Sequence, residues 1–258
     1  MSVREFLIRG LLAGLFAGLA AFAVGFVVGE PSVNAAIALE ESEGDAGHSH
    51  AQTASDQPAA SDEVVPRSLQ STLGLLTGTA VEGTALGGLA GVLCALALGR
   101  LGRLRVRATA LAIAGVGFVS VYVLPYVAYP PNPPGIGQTD TFGYRTALYF
   151  IMVAISLVAA ITAIIVGLRL ARSWGAWWAG LASIACYVVE TVTAVVLMPV
   201  VNEVPAGFPA TVLFEFRLAS FVIQLTLWAV LGVALAELGH RLVRSRQPEP
   251  RALLGTSA

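Results

Sequence analysis

Long apolar runs alternate with short polar connections along the whole chain. About six of these runs could cross a bilayer as a helix, which takes roughly 20 residues. We predict membrane-spanning helices at residues 6–29, 73–98, 108–126, 144–170, 174–201 and 211–238. The predicted fold is an all-α membrane protein, a bundle of about six transmembrane helices.

The first run has two interpretations. Ala21-Phe22-Ala23 resembles a signal-peptide cleavage site, but the run exceeds the roughly 7–15 residues of a signal-peptide core. Glycines also recur every fourth residue in the first two runs, a spacing that lets helices approach closely in lipid. They are Gly10, Gly14, Gly18, Gly74, Gly78, Gly83, Gly87 and Gly91. We therefore expect a retained span.

Two polar connections differ from the runs around them. Residues 30–70 are acidic and rich in alanine and serine, which predicts a loop with a short helix near Val33–Glu43. The connection between the third and fourth runs contains four prolines, which exclude a helix: Pro130, Pro131, Pro133 and Pro134. A non-helical segment between two spans lies outside the hydrocarbon or is buried in protein. We expect it to form a lid.

Composition and charge fix the expected environment and orientation. The chain is 56% hydrophobic and 12% charged, whereas a soluble domain is about 25% charged. Arginines occupy the N-terminus, the turns near Arg103 and Arg172, and the tail at residues 239–258, while the alternate connections are acidic or nearly uncharged. The positive-inside rule then predicts both termini in the cytoplasm and the acidic loop and the lid outside.

Net charge and cysteine usage exclude other classes. A formal net charge of −1 gives no basic surface for nucleic acid. Cys94 and Cys186 lie within apolar runs, which argues against a disulfide framework. The chain has no phosphate loop, Ser/His/Asp set, HExxH or CxxC spacing, so we predict that it is not an enzyme.

Two carboxylates within predicted spans are the first candidates for chemistry. Glu82 and Glu190 should lie at similar depth, and such residues usually face the bundle interior and are functional. Cys186, Thr193 and Met198 share a helix face with Glu190, and mixed oxygen and sulfur donors suit a transition metal. The alternative is a protonated Glu190 that is hydrogen-bonded to Thr or Tyr187 for packing.

The loop and the outer ends of the spans supply the remaining candidates. His48 and His50, near acidic residues, suit capture of a transition metal, although they also fit a solvated linker. Arg217 can pair with Glu215 or reach the proline segment, and Arg145 ends that segment. We assign structural or gating roles to these three residues and to the four prolines.

Three stretches resemble one family. YPPNPPGIG and TFGYRTALY follow the third run, Gly29-Glu30-Pro31 and then residues 35–41 follow the first, and residues 208–232 contain the FRLAS element. Together they resemble the CbtA family of predicted cobalt transporter subunits. The resemblance implies a polytopic protein of a bacterial or archaeal plasma membrane, with Co²⁺ as substrate, no permanently bound cofactor, and a small single-span partner called CbtB.

Two functions from different classes follow. The first is a membrane component of a divalent transition-metal uptake system, with metal bound by Glu82, Glu190, His48, His50 and Cys186. The second is a non-transporting scaffold or accessory subunit, whose glycine faces bind a small single-span partner. A homo-oligomer is compatible with either. Nothing in the chain resembles a nucleotide-binding domain, so transport would use a gradient or a separate motor.

Overall fold

The computed structural model describes residues 2–48, 69–100, 104–137 and 139–245. Within these ranges the regular structure is helical, with no strand. The α-helices are α1 (Val3–Val24), α2 (Glu30–His48), α3 (Leu75–Ala97), α4 (Val106–Gly117), α5 (Leu124–Ala128), α6 (Phe142–Leu197) and α7 (Ala210–Arg244). Single π-helical segments join or extend them, at Gly25–Gly29, Gln70–Gly74 and Phe118–Val123.

Within the described ranges, five continuous helical stretches are long and apolar enough to cross a membrane, and one of them is double. Helix α6 has 56 residues, and Gly175 within it has non-helical backbone angles of φ 78° and ψ 162°. The Ser183 hydroxyl donates a hydrogen bond of 2.8 Å to the Ala163 carbonyl, so the two halves pack side by side as a hairpin. The chain therefore has about six apolar segments, and the predicted all-α membrane fold is confirmed.

The first helical stretch extends further than the sequence predicts. The chain remains helical through Glu30–His48, where we expected a loop with a short helix near Val33–Glu43. Alanine and glutamate dominate this segment and both favour helix. Ser32 is buried and donates to the Gly29 carbonyl at 2.8 Å, which ties α2 to the π-helical segment before it.

The fifth predicted span ends earlier than expected. Helix α6 stops at Leu197, and residues 198–201 are not helical although the apolar run includes them. Pro199 has no amide hydrogen to donate into the last turn, which explains the stop. Met198 already has extended backbone angles of φ −76° and ψ 146°.

Helices α1 and α3 form the tightest contact in the fold. Each glycine of the α1 row lies against the α3 backbone: a methyl group on Gly10 would overlap the Gly87 carbonyl, and one on Gly14 would overlap that of Gly83. Helix α7 completes the core with fully buried Leu227, Leu231 and Leu235. The glycine faces that sequence analysis identified on α1 and α3 therefore pack against each other.

The α6 hairpin joins this core mainly through the α4–α5 stretch. Its contacts run to α5 and to the π-helical segment Phe118–Val123. The Tyr187 hydroxyl links the pieces, since it shares hydrogen bonds with Ser156 at 2.8 Å and with Ser120 at 3.3 Å. Ser156 and Ser120 are both buried.

The connections assemble at opposite ends of the bundle. The proline segment, α2 and residues 201–208 meet at one end, where they line neighbouring cavities. At the other end Arg107 pairs with Glu237 at 2.7 Å, and the ring of Phe6 lies against Gly239. This grouping agrees with the arrangement that the arginines predict, in which the acidic segment and the lid share one side.

Candidate functional site

A cavity of about 720 Å³ lies beneath the proline segment. Its walls come from the proline segment, the first turns of α6, the connection after α6 and the start of α7. The polar residues that line it are Tyr129, Asn132, Arg145, Thr146, Tyr149, Asn202, Glu203 and Arg217. All four prolines of the predicted lid also line it. The proline segment therefore lines a cavity, while its role as a lid stays a prediction.

Arg217 holds the proline segment in place. Its Nε donates to the Pro131 carbonyl at 3.2 Å, and its Nη2 donates to Asn132 Oδ1 at 3.0 Å. The Tyr126 hydroxyl donates in turn to the Arg217 carbonyl at 3.1 Å. Of the two partners open to Arg217 in the sequence, the structure shows the proline segment; Glu215 is exposed and makes no ion pair with it in the described structure.

Arg145 joins the start of α6 to the connection that follows α6. Its Nη1 lies 3.2 Å from Glu203 Oε2, and the Thr141 hydroxyl donates to the other Glu203 oxygen at 2.6 Å. The guanidinium also lies against Gly137, whose φ of 116° and lack of a side chain leave room for it. The Arg145 Nε is buried without a hydrogen-bond acceptor among the described residues.

Tyr129 closes the edge of the cavity next to the lid. Its hydroxyl donates to the Pro199 carbonyl at 2.9 Å, so the proline segment is tied to the end of α6 as well. Burial raises the pKa of this hydroxyl, and the neighbouring Tyr144 raises it further. The group is therefore a neutral donor throughout the physiological range.

Glu82 joins α3 to α7. Gln224 of α7 donates a hydrogen bond of 2.8 Å to its Oε1. The Tyr149 hydroxyl of α6 donates to the Val121 carbonyl at 3.3 Å, and Tyr149 also lines the outer cavity. The Tyr122 hydroxyl is buried and has no hydrogen-bond partner in the described part of the chain.

Glu190 has a different partner on a different helix. Cys186 Sγ donates to Glu190 Oε1 at 3.4 Å, so the predicted sulfur and oxygen donors are in contact. Thr193 instead donates to the Val189 carbonyl of its own helix at 2.7 Å. Tyr187, the alternative packing partner, bonds to serines rather than to Glu190. Met198 lies at the end of the helix.

The two histidine candidates fall at and beyond the end of the described part of α2. His50 lies outside the described residues, and His48 is the last residue of α2, with its side chain outside the description. Within the described ranges no three His, Cys, Asp or Glu side chains are close enough to hold one metal ion. The predicted metal ligands therefore stay a prediction, with Glu82 and the Cys186–Glu190 pair as its two described parts.

Sequence reasoning missed several polar residues of this region. Gln224 places a polar amide within an apolar run, which is the same kind of signal that identifies Glu82 and Glu190. Glu203 lies between prolines in a short connection, where the sequence predicts a solvated acidic side chain. Only the fold brings Glu203 to Arg145 and Asn132 to Arg217.

Comparison with known proteins gives one match. A family model described as probable cobalt transporter subunit (CbtA) matches residues 3–240, which is nearly the whole chain. No curated protein and no solved structure matches the sequence. The match covers every helix described above except the last turn of α7.

Proposed function

The chain belongs to the CbtA family of probable cobalt transporter subunits, and on this premise we propose that it is the membrane component of a divalent transition-metal uptake system with Co²⁺ as substrate. The family description names a transporter subunit, and the described chain has several long apolar helices. Both observations indicate a multi-pass membrane protein. The ion, the residues that bind it and the plasma membrane as location belong to the proposal.

One observation carries the proposal: Glu82, a carboxylate within an apolar helix, is hydrogen-bonded to Gln224 of another helix at 2.8 Å. In this proposal a substrate enters beneath the lid and binds at this pair. Glu82 is exposed on the isolated chain although it lies within α3. A carboxylate facing lipid at mid-span costs about 2.5–3.5 kcal/mol, so Glu82 faces a hydrated crevice or another chain.

Glu82 and Gln224 supply oxygen ligands for a divalent cation. A carboxylate and a side-chain amide oxygen are hard donors that a cation accepts in place of water. The present hydrogen bond presents the Gln224 nitrogen to Glu82, so rotation of the amide by half a turn presents its oxygen instead. In the empty site Glu82 and Gln224 therefore bond to each other, and in the occupied site both bind the cation.

Cys186 and Glu190 supply a second, softer pair. Thiolate with carboxylate favours Co²⁺, Ni²⁺ or Zn²⁺ over Mg²⁺. In the empty site the Cys186 thiol donates a hydrogen bond to Glu190. A cation that binds both groups displaces the thiol proton. This pair accounts for selectivity for a transition metal, which Glu82 alone does not provide.

A partner completes the system in this proposal. A transporter subunit works with at least one other chain, and a small single-span protein of the CbtB type is the partner we expect. A second copy of this chain is the other arrangement. The energy comes from an ion gradient or from a separate motor.

The test is uptake of radioactive cobalt into cells that lack other cobalt transporters, with the CbtB-like partner co-expressed. We expect wild type to accumulate cobalt above vector control and Glu82→Gln and Glu190→Gln to accumulate much less. Glu237→Gln is the matched control, because Glu237 pairs only with Arg107 and Arg241 at the other end of the bundle. Wild type equal to vector would overturn the transport function.

The competing function, a scaffold that does not transport, predicts a different result. It would give wild-type complexes with the partner but no cobalt accumulation in any variant. Six of the glycines that a partner would bind are packed between α1 and α3, while Gly74 and Gly78 face open space. If both Gln variants accumulate cobalt like wild type, transport stands and the deep carboxylates are not its site.

A further inference from the structure

The walls of the outer cavity have a net positive formal charge, which disfavours a free cation. Three charged side chains line it, Arg145, Arg217 and Glu203. Glu203, the sole acid among the described lining residues, is engaged by Arg145 and Thr141. In the described part of the chain, Arg217 bonds to a backbone carbonyl and an amide oxygen, both neutral. The lining therefore has a formal charge of +1, from two arginines and one glutamate.

Several hydrogen-bond donors on the same walls have no acceptor among the described residues. A guanidinium has five N–H groups, and Arg217 uses its Nε and one Nη2 donor, which leaves Nη1 without a partner among the described residues. Asn202 accepts the Val204 amide at 3.3 Å with its oxygen, so its amide nitrogen remains for a ligand. The Arg145 Nε is a further donor without an acceptor. Such an arrangement fits an anion with several oxygen atoms.

From the charge and the donors together, we propose that the outer cavity binds a small di- or tricarboxylate anion, anchored by Arg217. A planar guanidinium edge matches a carboxylate with two parallel hydrogen bonds. The volume of about 720 Å³ falls within the range of small-molecule sites, roughly 300–1,000 Å³, and exceeds what a bare ion needs.

This inference deepens the proposed function but does not depend on it for its test. A bare dication beside the uncompensated Arg217 is repelled, whereas a cation complexed by carboxylates carries a negative charge that Arg217 attracts. The anion therefore has two possible sources, a free carboxylate or a carboxylate complex of the transported cation. Both present the same chemistry to Arg217.

The experiment uses purified full-length protein in nanodiscs with citrate as the probe. Radioactive citrate is titrated alone and with equimolar CoCl₂, and CoCl₂ is titrated alone. We expect saturable citrate binding that weakens about tenfold or more in Arg217→Gln, the loss expected for a charge-assisted contact. Arg169→Gln, which removes an exposed arginine at the other end of the bundle, is the matched control and should bind like wild type.

A second measurement avoids any folding defect of the variant. Wild-type protein is treated with phenylglyoxal, which modifies accessible arginines, and the modified sites are read by mass spectrometry. Citrate should protect Arg217 at least several-fold and leave Arg169 unprotected. Equal modification of Arg217 with and without citrate, or binding that Arg217→Gln leaves unchanged, overturns the inference.

The citrate titrations with and without cobalt distinguish the two possible sources of the anion. Compared with cobalt uptake, they also distinguish the anion site from the proposed function. Tighter binding of citrate with cobalt than without it identifies the metal complex as the ligand, and equal binding identifies the free carboxylate; either result supports the site. Cobalt uptake in cells without any citrate binding or protection overturns this inference alone. Citrate binding without cobalt uptake overturns the proposed function and leaves the anion site standing.

Discussion

Gln224 on α7 donates a 2.8 Å hydrogen bond to the Glu82 carboxylate on α3. The contact joins two helices of the central bundle. Gln224 is the hydrogen-bond partner that the structure describes for Glu82, a carboxylate within an apolar helix. The pair is therefore the first place to probe how the fold serves transport.

Replacing Gln224 by leucine should weaken cobalt handling without unfolding the bundle. Glu82 loses the group that orients it, and such supporting contacts typically change metal affinity about 10- to 100-fold. We expect the half-saturating cobalt concentration for uptake to rise about tenfold. Thr226→Val is the control, because Thr226 bonds only to the Val222 carbonyl of its own helix, at 2.8 Å. Equal kinetics for Gln224→Leu and wild type would contradict a role for this pair.

Two glycines on α3 should respond oppositely to alanine. A methyl group at Gly87 would overlap the Gly10 carbonyl, and overpacking costs about 1–3 kcal/mol or more. Gly78 faces open space, so alanine there should be neutral or stabilise the helix by up to about 1 kcal/mol. Thermal unfolding in detergent, followed by helical circular dichroism, should show a lower Tm for Gly87→Ala only. A similar Tm for both variants would refute the packing described for α1 and α3.

The turn within α6 should depend on Gly175. Its angles of φ 78° and ψ 162° lie in a region that is almost exclusive to glycine, at a cost of about 1–3 kcal/mol for other residues. Gly175→Ala should therefore lower Tm in the same assay. Gly180→Ala, in regular helix with open space around it, should not. Loss of stability in Gly180→Ala alone would show that the turn lies elsewhere.

Arg145 and Glu203 should behave as a coupled pair. Both side chains are largely buried, at 26% and 14% exposure, so removing one leaves the other charge without its partner. Each single Gln substitution should cost on the order of 1–3 kcal/mol of unfolding free energy. The double variant should cost much less than the sum, as measured by urea unfolding of all four proteins. Additive effects would mean that the two residues act independently.

The sequence predicts the helices well because their signal is local. Runs such as residues 211–238 are long and apolar, and lipid admits little besides helix there. The four-residue glycine spacing likewise predicts close packing, since only glycine allows two backbones to touch. Which helices pair is not in the spacing, and only the fold shows that the Gly14 row of α1 meets the Gly83 row of α3.

The site is less predictable because its contacts are tertiary. Glu82 and Glu190 stand out as charges in apolar runs, but their partners Gln224 and Cys186 follow from helix placement and rotamer. Arg217 had two partners open to it, and packing of the proline segment decided between them. The helix over Glu30–His48 was underestimated because acidic composition resembles that of a loop, although alanine and glutamate also favour helix.

The backbone of Gly175 has a consequence for the whole topology. The stretch Phe142–Leu197 reads as one apolar unit, and the chain would cross the membrane an odd number of times if it were straight. The reversal at this glycine makes the number even, so α7 runs in the direction that brings its last turns beside Phe6 of α1. One pair of dihedral angles thus places Arg241 and Arg244, in the last turn of α7, at the same end of the bundle as the start of α1.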